Sequence, residues 1–300
     1  MKKVLIPILV VVIVIAVCAV LAFAKRPKTN VYSSYIIPSG TMRMIAHTGY
    51  SAVAPANTLP ADYAAGKSDF WGAECDIQRT KDGVWILSHN DDIEDMTDGT
   101  GLISEQTYAE LMEFNVDTGN NIENYPNLKL TKLEDYLDVC KQYGLHPVIE
   151  IKENADTAYL HEVAELLEAR EEKDMFHVIS GGREICTTMK ELMPTLPVYY
   201  IVSYEEVSRE TIEFAVNNHL DGMDIHVYHP EDYVKDVVAS GLDVFVWTID
   251  DMGNCEKFYK LGVNAITTNS ITQEPPAGNF VQRCLWALRD SWYKRTEKTN

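Results

Sequence analysis

Between residues 42 and 272, eight short apolar runs alternate with amphipathic stretches, and few architectures accommodate that rhythm. The runs are Met42–Ala46, Gly72–Gln78, His146–Ile151, Phe176–Ser180, Val198–Val202, Asp221–His226, Asp243–Thr248 and Asn264–Thr268. Helical periodicity falls between them, over Tyr108–Phe114, Leu133–Tyr143, Tyr159–Glu172, Glu184–Met193, Val207–Asn217, Asp232–Ala239 and Cys255–Leu261. Strands that alternate with helices predict a parallel sheet covered by its own crossovers, and eight such units predict an α/β fold of the TIM-type (β/α)8 barrel class. A doubly wound open sheet is the alternative, but no Gly-rich phosphate loop follows any of the strands. Thr131-Lys132-Leu133-Glu134 and Ser203-Tyr204-Glu205-Glu206 read as capping boxes that start two of the helices.

One interruption bears on chemistry. Arg79-Thr80-Lys81-Asp82-Gly83 follows the second strand, and Asp-Gly is a strong hairpin signal. With Asp82-Gly83 as a two-residue loop, Asp76 lies opposite His89; a four-residue loop places Glu74 there instead. Strand side chains alternate between faces, so either register sets His89 on the face that carries both acids.

The strand ends collect a particular set of groups. His47 closes the first run, Glu74 and Asp76 lie in the second, and Glu150 ends the third with Lys152 two residues beyond. Carboxylates confined to one pocket repel each other unless a cation sits between them. Lys152 is one cation against three acids, which predicts a divalent metal held by Glu74, Asp76 and Glu150. All-oxygen ligation suits Ca2+ or Mg2+ better than zinc. His47 and His89 at the same barrel mouth fit general acid–base chemistry beside that metal. The bland alternatives are an internal ion-pair network and histidines satisfied within the core. Trp247 offers a wall for the apolar part of a ligand, with core packing as the equal alternative. His226 ends the sixth strand and is a weaker candidate for substrate contact, and His146, His161, His177, His219 and His229 read as loop or helix-surface residues.

The ends of the chain differ from this body. Met1-Lys2-Lys3 precedes an uncharged apolar run, Val4 to Ala24, which Lys25-Arg26 closes. The run is long enough for a membrane-spanning helix and longer than the core of a usual signal peptide. Residues 1–26 are therefore expected to be a single-pass signal anchor that leaves the rest extracytoplasmic, although Ala22-Phe23-Ala24 resembles a cleavage site that would release it. The expected divisions are a linker over 27–40, the barrel over 41–272 and an amphipathic tail over 273–300. Val281, Leu285, Leu288 and Trp292 lie in that tail at helical spacing. Beyond residue 26, 22 basic side chains face 45 acidic ones, a formal charge of −23. Such a surface argues against nucleic acid as a partner and leaves an anionic substrate dependent on a metal or a local cation. Cys75, Cys140, Cys186, Cys255 and Cys284 have no regular spacing and read as small buried hydrophobes. The acidic run Asp91–Gly99 lacks the ligand spacing of a calcium loop and reads as a solvated excursion.

Several motifs in order carry a resemblance. They are Ile45-Ala46-His47-Thr48-Gly49, Ala54-Pro55-Ala56-Asn57-Thr58, Glu74-Cys75-Asp76, Thr80-Lys81-Asp82-Gly83, His89, Gly99-Thr100-Gly101, Glu150-Ile151-Lys152, Val246-Trp247-Thr248 and Gly262–Asn269. Together, over about residues 42–272, they resemble the glycerophosphodiester phosphodiesterase family. That resemblance implies a TIM-type barrel and metal-dependent cleavage of glycerophosphodiesters to glycerol 3-phosphate and an alcohol; the outward location expected from the anchor sets small head-group diesters or polymeric glycerol phosphates within reach. It implies Glu74, Asp76 and Glu150 as metal ligands, His47 and His89 as proton carriers, and Lys152 as a holder of the phosphate.

Departures from the family pattern fall around the same site. Thr48 stands where the family usually carries an Arg that contacts the phosphate, so Thr48 is left as the substrate-facing residue of that motif. Ala56 stands for a usual Glu, and Asn264 and Asn269 for usual Asp residues. Loss of one preorganised donor costs roughly 2.7–4 kcal/mol of transition-state stabilisation. A barrel that binds phosphodiesters or wall polymer without turnover is accordingly the alternative to an enzyme.

Overall fold

A computed structural model describes residues 42–68 and 70–272. The predicted anchor, linker and tail lie outside these residues. Among the described residues no helix is long and apolar enough to cross a membrane.

Nine strands form one sheet: β1 (Arg43–Ala46), β2 (Gly72–Arg79), β3 (Trp85–Leu87), β4 (His146–Ile151), β5 (His177–Ser180), β6 (Val198–Val202), β7 (Gly222–His226), β8 (Asp243–Trp247) and β9 (Ala265–Thr268). All except β3 pair in parallel, and β1 pairs with both β2 and β9, which closes an eight-stranded barrel. The eight predicted strands all form, within a residue or two at each end.

Alternation along each strand divides the apolar side chains into two cores. Ala46, Ile149, Val178, Val198, Met223, Val244 and Ile266 face the surrounding helices and join the large core between barrel and helices. Ile45, Val148, Ile179, Tyr199, Phe245 and Ala265 face inward and fill the barrel. Burial on both faces explains why these strands read as continuous apolar runs. His146 and His177 are not surface residues as expected. They begin β4 and β5, where Trp71 stacks on His146 at 4.1 Å between ring centroids and His177 packs edge-on to Trp71. These rings close the end of the barrel opposite the strand C-termini, and burial, then His146, pushes the His177 imidazole down to about 4. His229 is also buried.

The helices follow the predicted order, with an unpredicted one added between β1 and β2, α1 (Leu59–Gly66). Neither predicted capping box forms. α3 (Leu133–Tyr143) is preceded by Lys132 without a side-chain cap, because the Thr131 hydroxyl instead accepts from the Leu59 N–H at 3.2 Å. Ser203 lies in a turn, and the helix after β6 (Arg209–Asn217) is capped by Ser208. A reciprocal box does form at Thr107 and Glu110, ahead of the one-turn α2 (Tyr108–Leu111). The acidic excursion is built rather than merely solvated. Its acids Glu94, Asp95 and Asp98 are exposed, but Ile93 is fully buried in a small separate core with Ile86, Ile103, Leu111, Val116 and Leu130.

Candidate active site

The C-terminal ends of β1, β2 and β4 bring the predicted residues together. Register sets Asp76 beside Glu150 on adjacent parallel strands, both inward, with Glu74 two residues earlier on the same face. One oxygen from each of Glu74, Asp76 and Glu150 lies within 4.8 Å of the others. Lys152 reaches back into this cluster, its Nζ 2.5 Å from Asp76 Oδ1 and 2.7 Å from Glu150 Oε1. Asp76 is held further by Asn57, whose Nδ2 donates to Asp76 Oδ2 at 2.7 Å and whose Oδ1 accepts from the Asp76 N–H at 3.1 Å. Glu74 Oε2 accepts from the Thr48 N–H at 2.8 Å, while Glu74 Oε1 is buried with no hydrogen-bond partner.

The donor set fits a cation. With all three ionised, three carboxylates against one ammonium leave two negative charges, and a buried carboxylate oxygen without a partner is costly unless something positive faces it. The donors are all hard oxygens, as Ca2+ and Mg2+ prefer. The predicted ion-pair alternative is half realised, since Lys152 pairs with Asp76 and Glu150 but makes no bond to Glu74.

Protonation follows the same electrostatics. Burial alone would raise the Asp76 carboxyl, but Lys152 overrides it and holds the group below the usual carboxylate range. Burial, then the Asp76 and Glu150 charges, raises Glu74 well above its ordinary 4.5. Burial, then Asp76, lifts Glu150 to about 7. Asp224, an inward acid on β7, is raised by burial and then by Glu150, which favours its neutral form. A metal-free chain therefore keeps protons on Glu74 and Glu150 that the unfolded chain has shed above 4.5. The stability these two groups contribute is fully present below that pH and is lost as pH rises through about 7. A cation held there would need both groups ionised, so its affinity would rise over the same window. Unfolding midpoints measured with EDTA and with Mg2+ or Ca2+ are expected to diverge between about pH 5 and about pH 8; parallel curves would refute this linkage.

His89 arrives by a different route from the one predicted. The hairpin loop has three residues, Lys81-Asp82-Gly83, closed by Thr80 N–H to Val84 O at 2.9 Å, with Gly83 at φ +87°. The register pairs Ile77 with Leu87, and the Ser88 N–H bonds the Asp76 carbonyl, so Asp76 faces Ser88 and neither predicted pairing occurs. An odd loop reverses the parity on which the expected facing of His89 depended. His89 instead follows the end of β3 on an exposed turn, close enough for its charge to act on Asp76.

A cavity of about 610 Å³ at this mouth is lined by His89, Glu150, Lys152, Glu153, Ser203 and Trp247, among others. His47 follows the Ala46–Ala73 register pair, level with Glu74, and its Nδ1 lies 2.8 Å from Asn269 Oδ1. Thr48 does not offer its side chain to the cavity. It is buried at φ +52°, its hydroxyl donates to the His47 carbonyl at 2.7 Å, and its backbone serves Glu74. His226 packs edge-on against Trp247 at 4.7 Å.

Sequence reading passed over three polar contributors. Asn57 was visible only as part of a motif, and its left-handed φ of +54° lets it turn back onto Asp76. Asp250 follows β8 without a motif of its own. Asn90, next to His89, gives no sign in sequence that it bonds both His89 and Asp95.

A closed parallel barrel with a charged acid–lysine cluster and two histidines at its strand C-termini belongs to the barrel enzymes that carry their chemistry on that face. The chain belongs to the glycerophosphoryl diester phosphodiesterase family, whose profile matches residues 47–273. Glycerophosphodiester phosphodiesterase 1 of Mus musculus is 32% identical over 122 residues, which cover 40% of this chain but only 37% of that relative. A glycerophosphodiester phosphodiesterase of Bacillus subtilis is 22% identical over 83% of this chain and 90% of its own length. A phosphodiesterase from Oleispira antarctica, solved with the product sn-glycerol-3-phosphate, superposes with a TM-score of 0.70 at 27% identity, over 76% of this chain and 93% of that one.

Proposed function

We propose that this chain hydrolyses glycerophosphodiesters to glycerol 3-phosphate and an alcohol, with His47 and His89 as the proton-transfer pair and a divalent cation at Glu74, Asp76 and Glu150. The observation that carries this reading is the cluster of three carboxylates facing one ammonium, with the partnerless Glu74 oxygen, beside a cavity lined by His89 and Lys152. A bound Ca2+ or Mg2+ would offset charge on a non-bridging phosphoryl oxygen.

The chain's own groups do the rest. Lys152 is positively charged in the pocket: burial opposes its charge, and Asp76 and Glu150 override that and raise its pKa. With no arginine at position 48, its ammonium is the cation on the cavity wall that receives a phosphate oxygen. One histidine takes a proton from the nucleophile, either water or the neighbouring glycerol hydroxyl whose cyclic phosphate water then opens, and the other returns one to the leaving alkoxide. Trp247 forms one wall for the alcohol. The apolar run over residues 4–24 supports an anchored, extracytoplasmic placement, where diesters of lipid head groups or glycerol-phosphate polymers are the substrates within reach.

The test is release of glycerol 3-phosphate from glycerophosphocholine and from a glycerol-phosphate polymer, followed with Ca2+, Mg2+ or EDTA. Cation-dependent release from either is expected. A folded chain that binds the cation and cleaves neither would overturn the reading in favour of a binding barrel.

A further inference from the structure

Given His47 and His89 as the proton carriers, we infer that Asp250, acting through Asn269, is the positioning group that fixes the proton of neutral His47 on Nδ1 and leaves Nε2 as the nitrogen that exchanges a proton with the substrate; Asp95 acts on His89 through Asn90 in the same way. Asn269 Nδ2 lies 2.6 Å from Asp250 Oδ2. A carboxylate only accepts, so this nitrogen must be the amide's donor end. Asn269 Oδ1 then faces His47 Nδ1 at 2.8 Å and also accepts from the Ser51 hydroxyl at 3.0 Å. An amide oxygen cannot donate, so Nδ1 carries the hydrogen. Turning the amide over would set two acceptors 2.6 Å apart at Asp250 and present an N–H to the ring.

The fold holds Asp250 against such a turn. Its Oδ1 accepts from the Thr268 hydroxyl and from the Asn269 N–H, each at 2.8 Å, which ties the segment after β8 to the end of β9. The same sequence of contacts recurs at the other histidine. Asn90 Nδ2 donates to Asp95 Oδ2 at 2.6 Å, and Asn90 Oδ1 lies 2.8 Å from His89 Nδ1. An amide between ring and carboxylate selects the tautomer without placing a fourth full negative charge directly on the ring beside three carboxylates. The His89 copy is solvent-exposed, so water can replace part of it, and its loss is expected to matter less.

Asp250→Asn in the full chain sets two amides against each other. If the Asn269 amide turns, His47 meets an N–H; if the new amide at position 250 turns, its NH2 meets the Asn269 N–H. The double variant Asp250→Asn with Asn269→Asp restores every contact. Its carboxylate at position 269 accepts from His47 and from the amide at position 250, and that amide's Oδ1 keeps Thr268 and the backbone N–H. Ring-nitrogen NMR shifts of His47 in 15N-histidine protein, at a pH where the ring is neutral, read the tautomer directly. The parent is expected to show Nδ1 protonated. The single variant should shift this signature and lower kcat by roughly 10²-fold with little change in KM. The double variant should recover both. A single variant with the parent's tautomer and kcat, or a double variant no better than the single, overturns the inference. If the parent cleaves no diester, the functional reading fails, and the nitrogen shifts still decide the positioning claim.

Discussion

Replacing His89 with Ala is expected to lower kcat for glycerophosphodiester cleavage by roughly 10²–10⁴-fold and to leave cation binding intact. The reason is positional. His89 sits on an exposed turn after β3, supports none of the buried core, and bonds through Nδ1 to its neighbour Asn90. Its removal therefore leaves Glu74, Asp76 and Glu150 and their hydrogen bonds as they are. Diesters with activated leaving groups separate the two histidine roles. If His89 supplies the proton to the leaving group, a nitrophenyl diester should be cut nearly as fast by the variant as by the parent; if it is the base, the loss should persist. Turnover of glycerophosphocholine equal to the parent's would remove His89 from the mechanism.

Replacing Glu74 with Gln is expected to produce opposite effects on stability and on cation binding. The buried Glu74 carboxyl is raised well above 4.5 by burial and then by Asp76 and Glu150, so at neutral pH the metal-free fold carries a cost that a neutral amide avoids. The amide oxygen can still accept from the Thr48 N–H, as Glu74 Oε2 does at 2.8 Å. Its NH2, however, replaces the partnerless oxygen and presents hydrogens where a cation would be held. The metal-free unfolding midpoint should therefore hold or rise, while cation affinity falls by at least roughly 100-fold and turnover falls with it. Calorimetric titration with Ca2+ and Mg2+, with thermal unfolding in EDTA, reads both. Cation affinity unchanged in this variant would exclude Glu74 as a ligand.

Legibility differed from residue to residue. The two-apart spacing of Glu74 and Asp76 made their shared face certain once they were placed on a strand, and the structure gives both of them the barrel interior. His89 depended on loop parity, and a single extra residue in the hairpin, accommodated by the left-handed Gly83, changed its route to the site. Residue type alone suggests surface groups at His146 and His177, yet both rings pack on Trp71 at the end of the barrel and each meets the Met175 carbonyl through Nδ1. Thr131 failed as a cap because Leu59, 72 residues away, competes for its hydroxyl. Local patterns of hydrogen-bonding side chains are weak predictors wherever a distant backbone group can offer the same bond.

The linear chain by itself determined the strand–helix alternation, the barrel that follows from it, and the acids and histidines at the strand ends, because burial periodicity and strand alternation are short-range properties. Tertiary closure decided which polar groups hold those residues: Asn57 on Asp76, the Thr48 N–H on Glu74, and Asp250 through Asn269 on His47. These bonds link segments as far as 222 residues apart. Nothing in the local sequence encodes such a meeting; it exists only when β1 pairs with β9 and the barrel closes.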